Sequence, residues 1–424
     1  MHCYNTTLLE VLNKHAPMKE KEVVLCPHAP WYTDTVRRAK QERRKAERRW
    51  KKTNLTIYRD ILKEKQQEAN ALCEEAKADY YNKKIDETKK NSQELFKLAN
   101  SLLYRTKDST LPSHTSEKDL ADSFGTYFCQ KIEKIREHFP ERMRSSAPVD
   151  NPSSSTIQPL TSFLEISKKE LSKLILHGNS KSCDLDPIPT SLLKQILPVV
   201  LPTMHSIVNK SLIEATMPTS LKKAIVKPLI KKSTLNKENY KNFRPVSNLP
   251  YVGKLVEKAA IVQIEAHLTR NSLHEPLQSA YTANHSTETA LVKVANDILL
   301  ALDNHQCVYL VLLDLSAAFD TINHDVFLDR LSNDYAVSGG VSDWMKSYLT
   351  DRTQQIAINK TLSDQIGLEY GFPQGSCVGP FGFKLYTKPL TEIARKYEIN
   401  IHLYADDTQL YVSFNLDVSE SVLS

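Results

Sequence analysis

Three aspartates lie where their carboxylates can act together. Asp406 and Asp407 are neighbours in His402–Val412, HLYADDTQLYV, between apolar segments typical of β-strands. Asp314 directly follows Val308–Leu313, VYLVLL, an apolar run that predicts a buried strand. A charged carboxylate beside a buried strand is unfavourable unless it is paired or binds a metal ion. The structural alternatives are a solvated hairpin tip for the adjacent pair and a helix cap for Asp314.

Neighbouring strands would bring the three carboxylates to one edge of a sheet. Hard oxygen ligands of this kind suit Mg²⁺, which proteins bind through one or two carboxylates plus substrate phosphates. Two such ions, ~3.5–4 Å apart, would activate a 3′-hydroxyl and stabilise a leaving pyrophosphate in an in-line displacement. Mn²⁺ is a possible substitute. The metal charge would also offset the repulsion within the adjacent pair, so the pattern favours metal-dependent nucleotidyl transfer.

The glycines point to a second stretch. The chain has ten glycines, and the five that lie within sixteen residues are Gly367, Gly371, Gly375, Gly379 and Gly382. The segment 371–382 therefore predicts a turn in which the backbone bends sharply or is approached closely. Gln374 at its centre offers an amide to a nucleotide, although a structural hydrogen bond inside the loop is nearly as good an interpretation.

The charge is unevenly distributed along the chain. The net charge is +6, but Arg37–Lys52, RRAKQERRKAERRWKK, has ten basic residues against two glutamates, a local net charge of +8. Such a segment is either a solvated helix face or an arm that binds nucleic-acid phosphates without sequence preference. The residues predicted to bind nucleic acid are Arg37, Arg38, Arg43, Arg44, Arg48, Arg49, Lys51 and Lys52.

The composition narrows the class of protein. Hydrophobic residues make up 41% of the chain and charged residues 25%, as in ordinary globular proteins. No apolar run approaches the ~20 residues of a membrane-spanning helix, and the first residues show no secretory signal. The seven cysteines are scattered and never spaced C-x-x-C, which predicts an intracellular protein without a zinc site. Nucleus and cytoplasm are not distinguished.

Periodicity and punctuation predict an α+β fold in five segments. These are an irregular N-terminal segment (1–32), a basic helical arm (33–140), a Ser/Pro-rich linker (141–160), a region of helices and short strands (161–303), and strands separated by helices with a closing hairpin (304–424). The predicted helices include Lys168–His177, Ile188–Pro198, Met204–Ala215, Gly253–Arg270 and His285–Asp303, the last capped by Ser286 or Thr287.

Five motifs together resemble the reverse transcriptases of non-LTR retrotransposons, the LINE-like elements, especially their jockey, chicken-repeat and L2-like branch. LLDLSAAFDTINH, GFPQGSCVGP and YADDTQLY match that family's palm motifs in order and spacing. Asn242–Lys258 and Leu277–Leu291 look like its fingers motifs, and the basic segment looks like the one between endonuclease and polymerase. The resemblance implies a right-hand polymerase with fingers at 161–303 and an antiparallel palm sheet at 304–424.

The resemblance also implies roles for single residues. Phe319 falls where the family has an aromatic gate that collides with a ribose 2′-OH, a role compatible with core packing. Gln374 would lie beside the incoming nucleotide, and Arg244 would hold its triphosphate unless it is an ordinary surface arginine. Asp320 looks like a local cap or ion-pair residue. The implied catalytic metal ligands are Asp314, Asp406, Asp407 and the backbone carbonyl of Leu315.

Some positions depart from the family pattern. Thr282 stands where many relatives have Arg, so a triphosphate contact is expected to be missing. Gly382 replaces a Leu, which predicts a cavity and a loss on the order of 1–4 kcal/mol. The chain ends at Ser424, before the family's primer grip and thumb, and begins without its endonuclease. We therefore expect a fragment with weak, poorly processive activity.

The sequence thus predicts an RNA-directed DNA polymerase segment. Its expected partners are an RNA template, a DNA primer and deoxynucleoside triphosphates. Two alternatives remain: a catalytically inactive remnant that only binds nucleic acid, and an interaction protein built on the long helix with vestigial palm motifs.

Overall fold

The computed structural model describes residues 1–17, 29–88, 95–96, 98–99, 111–138, 157–178, 183–315 and 317–415. The chain divides into two compact units, one formed by 1–17 with 110–424 and the other by 18–109. Of the predicted linker, 141–160, only the last four residues lie within the described ranges. The boundaries predicted after residues 160 and 303 remain predictions. None of the described helices is long and apolar enough to cross a bilayer.

The second unit contains a helical hairpin. Helix α2, Asp34–Thr53, begins at Thr33, whose hydroxyl accepts a hydrogen bond from Val36 N at 3.4 Å. Asn54 ends it with φ +53°, the left-handed conformation in which Asn is tolerated. The chain then reverses into α3, Thr56–Thr88, which packs along α2. This hairpin lies in the stretch for which the sequence predicted a helical arm, 33–140.

An additional helix lies at the N-terminus. Helix α1, His2–His15, buries Tyr4, and Leu8 and Leu12 pack against the same core one and two turns later. This spacing places the three side chains on one helical face. The prediction of an irregular segment at 1–32 was therefore wrong for residues 2–15.

The largest core of the first unit is helical. Trp344, Tyr348 and Phe327 are among its fully buried side chains. Ser286, one of the two caps that the sequence offered, caps the helix Thr287–Asp303 with a full capping box to Thr289. The helices of this unit, after α1, are α4 (Glu117–Glu137), α5 (Lys168–His177), α6 (Thr190–Gln195), α7 (Leu197–Ile213), α8 (Tyr251–Arg270), α9 (Thr287–Asp303), α10 (His324–Asn333), α11 (Gly339–Leu349), α12 (Val378–Tyr386) and α13 (Lys388–Lys396).

A five-stranded sheet combines strands from distant parts of the chain. Its members are β1 (Lys223–Ile230), β2 (Phe243–Asn248), β4 (Thr353–Ile358), β5 (Thr361–Leu362) and β6 (Ile366–Gly367), in the order β2-β1-β4-β5 with β6 beside β4. Strands β1 and β4 are parallel and the other pairs antiparallel. Strands β4–β6 come from the predicted segment 304–424. They nevertheless share a sheet with β1 and β2 of the segment 161–303, and not with the hairpin that carries Asp406 and Asp407.

Helix α4 covers this sheet. Phe124 and Phe128 are buried against Val226, Phe243 and Ile356, and the Phe124 ring lies 5.0 Å from that of Phe243. The helix was predicted as the end of the basic arm, 33–140, but it belongs to the first unit.

The second sheet is antiparallel and has three strands. These are β3 (Cys307–Asp314), β8 (Asp407–Phe414) and β7 (Asn400–Tyr404), in the order β3-β8-β7. The mixture of helices with this antiparallel sheet confirms the α+β fold class. Strand β3 lies at the sheet edge and is not buried: Leu312 is 69% exposed. The prediction of a buried strand was wrong, because an apolar run does not by itself say what covers it.

Candidate active site

A two-residue turn joins the strands that carry the adjacent aspartates. Tyr404, the last residue of β7, pairs with Asp407, the first residue of β8. Ala405 and Asp406 form the turn between them, and Ala405 has φ +57°. Tight hairpins need such a conformation, although it is unfavourable for a residue with a Cβ. The turn therefore fixes where Asp406 and Asp407 lie relative to the sheet.

Strand pairing brings the third aspartate to the same place. Strands β3 and β8 are neighbours, and Asp314 is the register partner of Asp407. Directly opposed residues of an antiparallel pair have Cβ atoms about 4.5–5.5 Å apart on one face of the sheet. The convergence expected if these strands were neighbours is therefore present for Asp314 and Asp407, and Asp406 precedes Asp407 in the turn. Leu315, predicted to offer its carbonyl, follows at once and is exposed.

The electrostatics reflect this crowding. Partial burial raises the pKa of the Asp407 carboxyl above its usual value, and the negative charges of Asp406 and Asp314 raise it further. Within the described ranges, no group of three His, Cys, Asp or Glu side chains is arranged to hold a metal ion. The carboxylates are thus close neighbours that repel one another, without the closed geometry of a complete ligand set.

A cavity of about 290 Å³ opens beside these carboxylates. Asp314 and Asp407 line it together with Leu312, Gln409 and the beginning of α9 at Thr287. We call the sheet edge with Asp314, Asp406 and Asp407 the acidic edge. The cavity is a space beside this edge that is large enough for a substrate group.

Phe319 lies in the segment that follows β3. Its ring stacks on Phe383 at 4.5 Å between centroids and meets the edge of Tyr281 at 6.4 Å. The side chain is half-buried, at the border of the helical core. Phe319 therefore shows the core packing that the sequence analysis considered. Its role as a gate against a ribose 2′-OH remains a prediction.

Gln374 and Asp320 form a pair that the sequence did not predict. Gln374 Nε2 donates to Asp320 Oδ1 at 2.8 Å and to Oδ2 at 3.0 Å. Burial raises the pKa of Asp320, whereas this hydrogen bond and the charge of Lys131 act in the opposite direction. Asp320 therefore contacts the segment 371–382, called the glycine-rich loop below, rather than acting as the predicted local cap or ion-pair residue. The role of Gln374 beside a nucleotide remains a prediction.

Two glycines allow this loop to approach its neighbours. Gly371 has φ +73°, and a Cβ there would lie 2.5 Å from the Phe319 carbonyl oxygen. Gly375 has φ +121°, and a Cβ would lie 2.6 Å from the Ser247 carbonyl oxygen. Close approach was therefore the correct interpretation of both positions. The predicted turn, 371–382, is only partly a turn, because α12 begins at Val378.

The position of Gly382 differs from the expectation. A Cβ would lie 2.5 Å from Phe372 Cζ and 3.3 Å from Phe327 Cζ. The Phe372 ring thus fills the space that a larger residue would occupy. The predicted cavity at Gly382 is wrong, since an aromatic neighbour compensates for the missing side chain.

Arg244 lies on β2, opposite Leu229, with its side chain exposed. Burial lowers the pKa of Lys231, and the positive charges of Lys131 and Arg244 lower it further, which places three cations near one another. From this cluster of cations the sequence analysis named only Arg244. The adjacent lysines Lys231 and Lys232 could have indicated a basic site, whereas Lys131 on α4 is distant in the sequence and gave no such indication. Ser247 N donates to the Gln374 carbonyl at 2.7 Å, which ties β2 to the glycine-rich loop.

Thr282, where many relatives have Arg, bonds within its own loop. Its hydroxyl donates to the carbonyls of Gln278 and Ala280, each at 3.2 Å. The loop therefore presents no cation at this position, and the effect on triphosphate binding remains a prediction.

The basic segment forms α2 in the second unit. Val36, Arg43 and Trp50 share one helical face, on which Val36 is buried and Arg43 half-buried. Arg37 pairs with Asp34 at 3.1 Å and Lys51 with Glu47 at 2.9 Å. The other residues predicted to bind nucleic acid are all exposed: Arg38, Arg44, Arg48, Arg49 and Lys52.

Comparison with known proteins decides what this arrangement belongs to. The family model for reverse transcriptase (RNA-dependent DNA polymerase) matches residues 230–423, the segment that holds Arg244, the glycine-rich loop and all three aspartates. Residues 230–423 are therefore similar to reverse transcriptases. The matched segment begins at the last residue of β1 and includes both strands that present the carboxylates.

Two relatives of this chain are polymerases of mobile elements. The chain is 28% identical over 193 residues to a probable RNA-directed DNA polymerase from transposon BS of Drosophila melanogaster, covering 44% of this chain and 21% of that protein. It is 26% identical over 189 residues to the RNA-directed DNA polymerase from mobile element jockey of the same organism, covering 43% and 20%. These relatives confirm the resemblance to the non-LTR retrotransposon family. The chain spans about a fifth of their length.

A solved structure also aligns with the chain. The apo telomerase of Candida tropicalis, truncated from its C-terminal domain, has a TM-score of 0.35 at 12% identity, over 49% of this chain and 47% of that one. The family assignment rests on the sequence comparisons.

Proposed function

We propose that this chain is the fingers and palm segment of an RNA-directed DNA polymerase from a non-LTR retrotransposon. Its reaction is the template-directed transfer of a deoxynucleotidyl group to a primer 3′-hydroxyl. One observation carries the proposal: Asp314 lies opposite Asp407 at the end of an antiparallel sheet, inside a domain of the reverse transcriptase family. The fingers would be 161–303 and the palm 304–424.

The acidic edge is the proposed metal site. Asp314, Asp406 and Asp407, with the carbonyl of Leu315, offer hard oxygen ligands of the kind that Mg²⁺ or Mn²⁺ accepts. The raised pKa of Asp407 fits this assignment, because a bound cation would relieve the repulsion that raises it. When bound, two divalent ions would supply activation of the hydroxyl and stabilisation of the leaving pyrophosphate.

Other residues of the domain would position the nucleotide. Phe319, fixed by its stacking on Phe383, would close the space that a ribose 2′-OH needs. Gln374, whose amide is held by Asp320, would line the base side of the site. Arg244, in the cluster with Lys131 and Lys231, would attract the triphosphate.

The second unit would contribute affinity for nucleic acid. The exposed arginines and lysines of α2 form a dense positive surface, which suits a phosphate backbone and carries no sequence information. The proposed partners are therefore an RNA template and a DNA primer. A chain that only binds nucleic acid is the second candidate, since α2 would provide this property without turnover.

Primer extension tests the proposal directly. Purified chain, an RNA template, a DNA primer, deoxynucleotides and Mg²⁺ should give extended products, and Asp407→Asn should reduce the rate by at least about 100-fold, because it removes a metal ligand. Asp343→Asn is the matched control, an exposed aspartate on α11 and not on the strands or turn that carry the three aspartates. Salt-sensitive RNA binding without extension would favour the second candidate.

A further inference from the structure

A short segment upstream of α9 runs beside the hairpin that carries the aspartates. Leu403 N donates to the Leu277 carbonyl at 2.8 Å, and Ser279 N donates to the Leu403 carbonyl at 2.9 Å. Gln278 and Leu403 form a parallel bridge between these two bonds. Ser279 Oγ and His402 Nε2 are hydrogen-bonded at 3.0 Å. The segment 277–280 thus acts as a fixed support along β7.

The Gln278 side chain extends from this support to the turn. Gln278 is 2% exposed. Its Oε1 accepts from Ala405 N at 3.1 Å and from Ala280 N at 3.0 Å. Because both neighbours are N–H donors, the atom between them must be the oxygen and not the amide nitrogen. The nitrogen, Nε2, is buried without a partner among the described residues.

The contact of Gln278 with Ala405 matters because the conformation of Ala405 determines where Asp406 and Asp407 lie. Ala405 has φ +57°, which L-residues adopt only when surrounding contacts hold them there. Its N–H points to Gln278, a residue from a distant part of the chain. A partly buried turn N–H that loses its acceptor is unfavourable, so loss of the oxygen would favour other turn conformations.

We infer that Gln278 is a positioning residue for the acidic edge. Its side-chain oxygen fixes the Ala405 turn and thereby keeps Asp406 and Asp407 in register with Asp314. The consequence for catalysis rests on the proposed function, whereas the positioning of the turn does not. Gln278 touches no reacting atom in this assignment and acts only through the hairpin.

Hydrogen exchange at single-residue resolution tests the positioning itself. In Gln278→Met, which keeps the length of the side chain but removes the acceptor, the Ala405 amide should exchange at least about 10-fold faster. Gln278→Glu retains an acceptor oxygen, and the Ala405 amide should stay within about threefold of wild type. Unchanged exchange at Ala405 in Gln278→Met would overturn the inference.

A second glutamine provides the matched control. Gln263 on α8 also bonds to backbone, accepting from Leu164 N at 2.8 Å and donating to the Leu164 carbonyl at 3.0 Å. Gln263→Met should release the Leu164 amide and leave Ala405 unchanged. If it accelerates Ala405 as much as Gln278→Met does, the effect is general loosening and the inference fails.

Kinetics then test the consequence for the reaction. Gln278→Met should lower kcat by about 10-fold or more, with the KM for deoxynucleotide changed less than about threefold, because the turn positions metal ligands and not the nucleotide. Gln263→Met should leave both constants unchanged. An unaltered kcat alongside accelerated exchange would contradict the catalytic role. If Gln278 protects the Ala405 amide in the wild-type chain but the chain extends no primer, the proposed function is contradicted. The role of Gln278 in positioning the turn would still be supported.

Discussion

Asp314, the last residue of β3, and Asp407, the first residue of β8, are directly opposed in an antiparallel pair. The pairing of two strands from distant parts of the chain brings them together. Two like charges in this geometry repel unless a cation lies between them. The pair therefore has a measurable consequence for stability as well as for chemistry.

The first prediction concerns pH. The native pKa of Asp407 is raised above its usual value of 3.8, so the native chain holds this proton more tightly than the unfolded chain does. The favourable contribution is present below pH 3.8 and is lost as pH rises through the raised pKa. Without divalent ions at pH 7, Asp407→Asn should therefore unfold at a higher temperature than wild type, by at most about 3 °C for so exposed a group.

Thermal unfolding in EDTA at pH 7 and pH 3.5 provides the measurement. The difference should vanish at the lower pH, and Asp343→Asn should show none at either. A lower melting temperature for Asp407→Asn at pH 7 would contradict the repulsion described above.

The second prediction concerns Gly382. An added methyl group meets the buried Phe372 ring at 2.5 Å, and such overpacking costs about 1–3 kcal/mol. Alanine gains only about 0.5–1 kcal/mol over glycine in a helix, so the steric cost should prevail and Gly382→Ala should be destabilised in urea unfolding. Gly367→Ala is the control, because nothing lies within 4 Å of its added Cβ. Stabilisation of Gly382→Ala would restore the cavity expected from the sequence.

The third prediction contrasts two leucines of the three-stranded sheet. Leu403 on β7 is buried, so Leu403→Ala should lower the free energy of unfolding by about 2–4 kcal/mol. Leu312 on β3 is 69% exposed, and Leu312→Ala should cost less than about 1 kcal/mol. Equal losses in urea unfolding would mean that β3 is covered after all.

How far the sequence predicts this molecule depends on whether a feature is local. The ends of α5 and the cap of α9 follow from short patterns. The sequence stated the neighbouring of β3 and β8 only as a condition for the aspartates to meet, and the structure fulfils this condition. The exposure of β3 could not be predicted from the sequence, because an apolar run such as Val308–Leu313 occurs in buried strands and in exposed strands alike.

Other features depend on contacts between distant residues. Two helices were predicted at Ile188–Pro198 and Met204–Ala215, whereas α7 runs through Pro202, which packing tolerates and local propensity does not. The contact of Gln278 with Ala405 has no sequence signal, since a glutamine beside a serine says nothing about a turn far along the chain.

The fourth prediction concerns the basic helix. Arg38, Arg48 and Lys52 are exposed on one side of α2, so replacing all three with Gln should weaken single-stranded RNA binding and make the slope of log affinity against log salt shallower by about 2. The matched control changes Arg59, Lys63 and Lys83, exposed residues of α3, to Gln. Fluorescence anisotropy at several salt concentrations provides the slopes. An equal loss in both triple variants would show that α2 is not the binding face.

The most direct test asks whether Asp314 and Asp407 hold the same ion. Mn²⁺ binding, followed by electron paramagnetic resonance, should weaken by at least about 10-fold in Asp314→Asn and in Asp407→Asn, and only slightly more in the double variant, because residues that share one ligand are not additive. Asp343→Asn should bind as wild type does. Losses that multiply in the double variant, or a single substitution that leaves the affinity unchanged, would contradict a shared metal site.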